Sequence, residues 1–271
     1  MSAQLVWFLL ALTGAGLLAG FAGGLFGIGG GAVLVPALYL VFSALGVDES
    51  VRMHAAVGTS LSTIISTSWR SLSAHANAGA VDFDVLKTWG PWIAFGALVG
   101  AGLAGFASNA TMLSVFGVGL ALIAAQLGLG RPDWRLREEL PTGAARALTG
   151  GGLGAASAMM GIGGGAFGVT LMSLCGRPIH RAVATASGFG AAIALPGALG
   201  FIVAGWGRDG LPPYSLGFVN MPGFVLLAAL TAITAPIGAR LAHRLPQQTL
   251  RRAFAVFLAL VALNILREAF T

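Results

Sequence analysis

The stretch that decides the fold is Gly27-Ile28-Gly29-Gly30-Gly31-Ala32, which recurs residue for residue as Gly161-Ile162-Gly163-Gly164-Gly165-Ala166. Each copy lies inside an apolar stretch that is too long for the core helix of a soluble domain. Because glycine has no β-carbon, the backbone of these runs can leave helical geometry or approach a ligand closely. Interrupted apolar segments at matching positions of two halves are typical of transporters. The runs therefore predict an internally duplicated membrane protein.

The composition supports a membrane protein. The 271 residues are 56% hydrophobic and 9% charged, whereas about a quarter of the residues in soluble domains are charged. The 15 lysines and arginines give a net charge of +6 but are scattered through short loops, so they indicate topology rather than a nucleic-acid partner. The single cysteine, Cys175, excludes a disulfide framework and a cysteine-based metal cluster. We expect no metal and no cofactor.

Ten apolar segments are predicted, at residues 4–23, 32–46, 54–76, 88–107, 110–129, 143–160, 165–176, 182–205, 220–242 and 248–268. The first segment lacks a basic n-region, so we expect a retained helix rather than a cleaved signal peptide. Segments 32–46 and 165–176 are shorter than the roughly 20 residues that cross a bilayer. Each follows a glycine run, which predicts re-entrant or broken helix pairs over 4–46 and 143–176.

The second half of the chain matches the first beyond the glycines. Residues 54–60 match 181–187, residues 100–104 match 238–242, and Thr111 matches Thr249. The predicted fold is an all-α, polytopic integral membrane protein with two repeats, 1–130 and 142–271, of about five membrane segments each. Arginines in the linker 131–141 place it in the cytoplasm. An odd number of segments per half then predicts inverted topology, with both termini outside.

In this arrangement the two glycine runs meet near the membrane midplane. The helices that restart at Ala32 and Ala166 would present free N–H groups and the positive ends of their dipoles, which favour an anion. Candidate ligands to a substrate are Gly27, Gly29, Gly30, Gly31, Gly161, Gly163, Gly164 and Gly165, with the hydroxyls of Thr59, Ser60, Thr185 and Ser187. The alternative for the glycines is close helix packing.

Few charged or titratable residues fall inside the apolar segments. Arg70 shares a helical face with Thr59 and either binds the anion or extends to the inner membrane surface. His54 and His180 begin their segments and are either proton-coupling candidates or interfacial residues. All nine acidic residues lie at loops or segment ends, which disfavours a cation site.

Two enzymatic or cofactor-binding alternatives are weak. The glycine runs half-match a dinucleotide-binding fingerprint but lack the preceding strand and the following acidic residue. A hydrolase would need a nucleophile motif such as G-x-S-x-G, which the chain does not contain. We therefore expect a protein that is not an enzyme.

The motif at residues 23–31 followed by Pro36, together with residues 52–60 and their Gly-Thr-Ser ending, resembles the TauE/SafE family of membrane proteins. The resemblance spans nearly the whole chain. It implies export of small sulfur-containing anions, such as sulfite or organosulfonates, across the inner membrane of a bacterium. The second copy departs from the motif, because Thr170 stands where Pro36 would recur and Ala186 replaces Thr59. A passive anion channel stays open as an alternative, as does a homodimeric assembly.

Overall fold

Ten α-helices and one short β-hairpin make up the part of the chain that the computed structural model describes, residues 3–26, 29–130, 137–241 and 247–269. The helices are α1 (Ala3–Phe26), α2 (Gly31–Ala44), α3 (Glu49–Asn77), α4 (Phe83–Phe106), α5 (Asn109–Leu129), α6 (Gly143–Met160), α7 (Gly165–Leu174), α8 (Ile179–Ala204), α9 (Met221–Leu241) and α10 (Gln247–Ala269). Strands β1 (Ser215–Leu216) and β2 (Val219–Asn220) pair antiparallel before α9. The all-α prediction is confirmed.

The outer surface of the helical bundle is apolar. Helices α4, α5, α8 and α9 are each long and apolar enough to cross a membrane. Large hydrophobic side chains point outward from them, including Phe95, Leu122, Leu195 and Ile233. A water-soluble bundle would hide such residues, whereas lipid solvates them. The chain is therefore a multi-pass membrane protein.

Both glycine runs interrupt helices. Helix α1 ends at Phe26 and α2 begins at Gly31, while α6 ends at Met160 and α7 begins at Gly165. Gly29, Gly30 and Gly161 have φ angles of 75°, 79° and 65°, in the left-handed region that glycine enters without steric cost. Helices α2 and α7 have 14 and 10 residues, too few to cross a bilayer alone. The predicted broken helix pairs are present.

Helix α3 lies at the centre of the bundle, packed against α2, α8 and α9. Asp48 caps its start by accepting hydrogen bonds from the N–H and the hydroxyl of Ser50, and these bonds lower the pKa of the Asp48 carboxyl. Although α3 is the most hydroxyl-rich helix, most of its polar side chains are buried. They are His54, Thr59, Ser60, Ser62, Thr63, Thr67, Ser68, Ser71 and His75.

The first helix of each half packs against the fourth helix of the other half, so α1 contacts α9 and α6 contacts α4. Close glycine contacts recur at matching positions in these two interfaces. In the interface of α1 with α9 the contacts are Gly16–Leu227, Gly20–Thr231 and Gly238–Phe21. The equivalent contacts of α6 with α4 are, in the same order, Gly150–Trp89, Gly154–Ile93 and Gly100–Ala155. Small residues let these helix backbones approach closely. The sequence match between residues 100–104 and 238–242 thus corresponds to equivalent packing.

Candidate functional site

The two glycine loops lie directly against each other. A β-carbon on Gly29 would be 3.2 Å from the Gly163 Cα, and one on Gly31 would collide with the Gly161 carbonyl oxygen. All four glycines are buried. The structure therefore brings together glycines of both predicted half-sites. Gly27, a further predicted ligand, lies outside the described residues.

Helices α2 and α7 begin at this meeting point. Their N-cap residues, Gly30 and Gly164, have no side chain that could accept a hydrogen bond from the first helical turn. The Gly165 N–H is turned back onto the Gly163 carbonyl oxygen at 2.6 Å. Helix N-termini without side-chain caps have spare N–H donors and a positive dipole end, which together attract anions.

Ile64 of α3 packs against the first glycine loop, a contact that the sequence analysis did not predict. Its Cγ2 lies 3.2 Å from the β-carbon position of Gly29, and its Cδ1 lies 3.0 Å from that of Gly31. The side chain is fully buried. One signal was available: Ile64 is a large apolar residue within the Ser/Thr-rich stretch of α3.

Of the four hydroxyls predicted to bind the substrate, one contacts a glycine loop and three form hydrogen bonds elsewhere. Ser60 donates a hydrogen bond of 2.8 Å to the Gly161 carbonyl oxygen, so it belongs to the glycine-loop site. The Thr59 hydroxyl accepts from the Asn220 N–H at 2.9 Å, and the Thr185 hydroxyl accepts from the Asp82 N–H at the same distance. Ser187 donates to the carbonyl oxygen of Ala184 in its own helix.

The two threonine contacts are equivalent. Asp82 is the N-cap of α4 and accepts from the Val85 N–H, and Asn220 precedes α9 and accepts from the Gly223 N–H in the same way. Each threonine therefore ties the third helix of one half to the start of the fourth helix of the other half.

This equivalence matches Thr59 with Thr185, one residue away from the sequence match of 54–60 with 181–187. The same register matches the two histidines, His54 and His180. The loops before α3 and α8, residues 45–48 and 175–178, have the same length. Helix α7 has 10 residues where α2 has 14, so the offset between the two halves changes after the glycine runs, and the sequence alone does not show this register.

Both histidines and Arg70 lie away from the glycine loops. His54 is buried, with its Nε2 atom 3.0 Å from the Ala104 carbonyl oxygen and its ring against Phe218. The side chains of His180 and Arg70 are exposed. The two interpretations of Arg70, an anion ligand and a side chain that extends to the membrane surface, stay predictions.

The described part of the interior carries polar groups but no full charges. Within the described ranges, the buried polar side chains are hydroxyls, amides and imidazoles, and no aspartate, glutamate, lysine or arginine is buried. Asp82 is half-buried and lies 3.9 Å from Arg177 near the end of the bundle. An interior of N–H and O–H donors without carboxylates suits an anion better than a cation.

The clearest surface grooves lie elsewhere. One of about 360 Å³ is lined by residues 205–217, and one of about 430 Å³ runs between α5 and α10. The second groove is lined by apolar residues, as expected of a surface in lipid. The glycine loops instead form a closed contact between two broken helix pairs.

An apolar helical bundle in which two interrupted helix pairs meet at buried glycine loops defines the class of polytopic membrane transporters. The family model of the sulfite exporter TauE/SafE family matches residues 12–265, and the chain belongs to that family.

Curated relatives cover nearly the full length of the chain. A probable membrane transporter protein of Haemophilus influenzae is 32% identical over 257 residues, covering 95% of this chain and 97% of that protein. A probable membrane transporter protein of Methanocaldococcus jannaschii is 25% identical, covering 93% of this chain and 92% of the relative. A third, from Xylella fastidiosa, is 27% identical and covers 95% of each chain. No solved structure matches the chain.

Proposed function

We propose that this protein is a secondary transporter that exports small sulfur-containing anions, such as sulfite or organosulfonates, across a bacterial inner membrane by alternating access. The observation that carries the proposal is the contact between the two glycine loops, where two helix N-termini begin among described residues that include no buried carboxylate. The family description, sulfite exporter TauE/SafE, supports the sulfur-containing substrate class.

The proposal includes an inverted arrangement of the two halves, 1–130 and 142–271. Five helices in each half support it, because an odd number reverses the orientation of the second half. The packing of α1 on α9, which is equivalent to the packing of α6 on α4, also supports it. The arginines near the linker and at the start of α8 would then face the cytoplasm, as the positive-inside rule requires.

In this mechanism the anion binds between the two loops when they separate. The N–H groups that begin α2 and α7 hold its oxygens, and the Ser60 hydroxyl contributes a further donor after leaving the Gly161 carbonyl oxygen. Without a buried full charge the site binds weakly enough to release its substrate. Because the glycines have no side chains, the two loops can return to direct contact after the anion is released.

The test is substrate-induced thermal stabilisation of the purified protein. The panel is sulfite, thiosulfate, sulfoacetate, taurine and simple carboxylates. A ligand at a hundred times its dissociation constant stabilises by about 2.7 kcal/mol, enough for a measurable shift in Tm. We expect sulfite or a sulfonate to raise Tm more than any carboxylate. Stabilisation by carboxylates alone would contradict the substrate class.

Reconstitution into liposomes then separates a carrier from a passive channel. We expect saturable uptake and counterflow of the anion identified by the thermal assay. Unitary currents without counterflow would favour the channel. Both measurements use the full chain and need no mutation.

A further inference from the structure

Two serines of α3 stand out by the state of their hydroxyl groups. The Oγ atoms of Ser68 and Ser71 are buried and have no hydrogen-bond partner among the residues that the structure describes. The two side chains are 1% and 2% exposed. Five other hydroxyls on the same helix bond a carbonyl oxygen three or four residues back, as is usual for serine and threonine in helices. They belong to Ser62, Thr63, Ser66, Thr67 and Ser73.

Ser68 faces a glycine of α8. A β-carbon on Gly190 would collide with the Ser68 hydroxyl, and Leu61 of α3 packs on Gly197. These two contacts show that α3 and α8 run antiparallel, with Ser71 level with Ser187. A buried hydroxyl without a partner costs free energy. Its presence beside a glycine of the neighbouring helix therefore indicates that it bonds a ligand that is bound only part of the time.

The serines also lie on the route from the glycine loops to one end of the bundle. Ile64, Ser68, Ser71 and His75 follow helical spacing along one buried side of α3. Ile64 packs on Gly29 and Gly31 of the first glycine loop, and it is about 16 Å from His75 along the helix axis. That distance is about half the roughly 30 Å thickness of the hydrocarbon core. The stripe therefore reaches from the midplane to one membrane surface.

Leucines close the route beyond the serines. Leu72 of α3 and Leu86 of α4 both contact the β-carbon position of Gly188, at 3.4 and 2.8 Å. Past them lie Arg177, which is near Asp82, and the exposed Arg181. Cationic side chains at an opening raise the local concentration of anions.

We propose that Ser68 and Ser71 line the path by which the small anion enters from the cytoplasm, and that Leu72 and Leu86 close this path over Gly188. The proposal rests on the proposed export function and adds the route to it. When the leucines separate, the two hydroxyls donate to the anion's oxygens, and when they close, the hydroxyls are left without partners.

One test replaces each serine by alanine and uses Ser62→Ala as the matched control, since the Ser62 hydroxyl is buried but bonded to the Gly58 carbonyl oxygen. Removing an unbonded buried hydroxyl should leave Tm unchanged or raise it. Export should fall about two- to tenfold, the effect of one hydrogen bond. Unchanged export in both Ser68→Ala and Ser71→Ala would overturn the proposal.

A second test uses Ser68→Cys and Ser71→Cys in a Cys175→Ala background, with Ser62→Cys as the control. The probe is the anionic reagent 2-sulfonatoethyl methanethiosulfonate, added to inside-out or right-side-out vesicles. We expect reaction from the cytoplasmic side only, slowed by sulfoacetate, which unlike sulfite does not itself react with the probe, and no reaction of the control.

Reaction from neither side, from the outer side, or at a rate that sulfoacetate does not change would overturn the proposed path. Failure of the path and failure of the export function are distinguishable. Sulfite transport by a protein whose cysteines do not react would disprove the path alone, whereas absence of sulfite binding in the thermal assay would disprove the substrate class.

Discussion

Gly29 and Gly163, from matching runs in the two halves of the chain, lie so close that a β-carbon on Gly29 would be 3.2 Å from the Gly163 Cα. Glycine is needed here for two reasons. Gly29 has a φ angle of 75°, and a side chain would also have to occupy the contact between the loops. The three adjacent glycines therefore serve both backbone conformation and loop contact.

The first prediction separates loop closure from backbone strain. Gly31 begins α2 with ordinary helical φ, but a β-carbon there would collide with the Gly161 carbonyl oxygen. Gly31→Ala should therefore leave α2 intact and disfavour the closed contact. Overpacking typically costs about 1–3 kcal/mol, so we expect transport to fall about tenfold while membrane insertion persists.

Gly164→Ala is the matched control for this variant. Its β-carbon would meet side chains only: the flexible end of Ile193, with Leu153 Cδ2 at 3.2 Å and Phe189 Cβ at 3.5 Å. Side-chain ends can move where a backbone carbonyl cannot, so we expect a smaller loss of transport. Gly30 is unsuitable, because its φ of 79° and the nearby Ala19 carbonyl oxygen would strain the fold itself. Normal flux in Gly31→Ala would show that loop closure is not part of the transport cycle.

The second prediction concerns the threonines that link the two halves. Thr59→Val would leave the buried Asn220 N–H without its acceptor, which costs about 1–3 kcal/mol. Thr59→Ser keeps the hydroxyl and should restore most of the stability. Thr185→Val should cost less, because Asp82 is only partly buried. The measurement is thermal unfolding in detergent.

Loss of transport in Thr59→Val with unchanged Tm would contradict this structural role. In that case the hydroxyl would be a direct ligand of the anion, as the sequence alone suggested.

Much of the fold could be predicted because its signals are local. The apolar segment 165–176 and the glycine run before it correspond to the short helix α7 and its loop. The contacts of Ile64 with Gly29 and Gly31 could not be predicted. They depend on the distance between backbones far apart in sequence, which neither hydrophobic periodicity nor composition contains.

The third prediction tests the packing of α6 on α4. A β-carbon on Gly154 would collide with the Ile93 carbonyl oxygen, whereas one on Gly152 of the same helix would meet nothing. Gly154→Ala should lower stability by about 1–3 kcal/mol. Gly152→Ala should be neutral or stabilise by up to about 1 kcal/mol, since alanine is the better helix former. Equal Tm values for the two variants would refute this packing.

The fourth prediction concerns membrane topology. In a Cys175→Ala background, Glu139→Cys lies in the linker 131–141 and Asp209→Cys lies in the loop before β1, and both positions are exposed. With inverted halves, a membrane-impermeant thiol reagent should label the first cysteine only from the cytoplasm and the second only from outside. Labelling of both cysteines from the same side would rule out the inverted arrangement.

The last prediction tests Arg70. Its side chain is exposed, so we expect Arg70→Gln to leave the dissociation constant for sulfite unchanged within about twofold and to alter only expression or orientation. If the guanidinium instead bound the anion, losing that charge-assisted hydrogen bond would cost about 1.5–3 kcal/mol, or roughly ten- to a hundredfold in affinity. Arg70→Lys serves as the control, because it keeps the charge and should retain part of the binding in that case. A tenfold loss in Arg70→Gln that Arg70→Lys partly recovers would return Arg70 to the site. An unchanged dissociation constant would leave the helix N-termini and the hydroxyls as the source of anion binding.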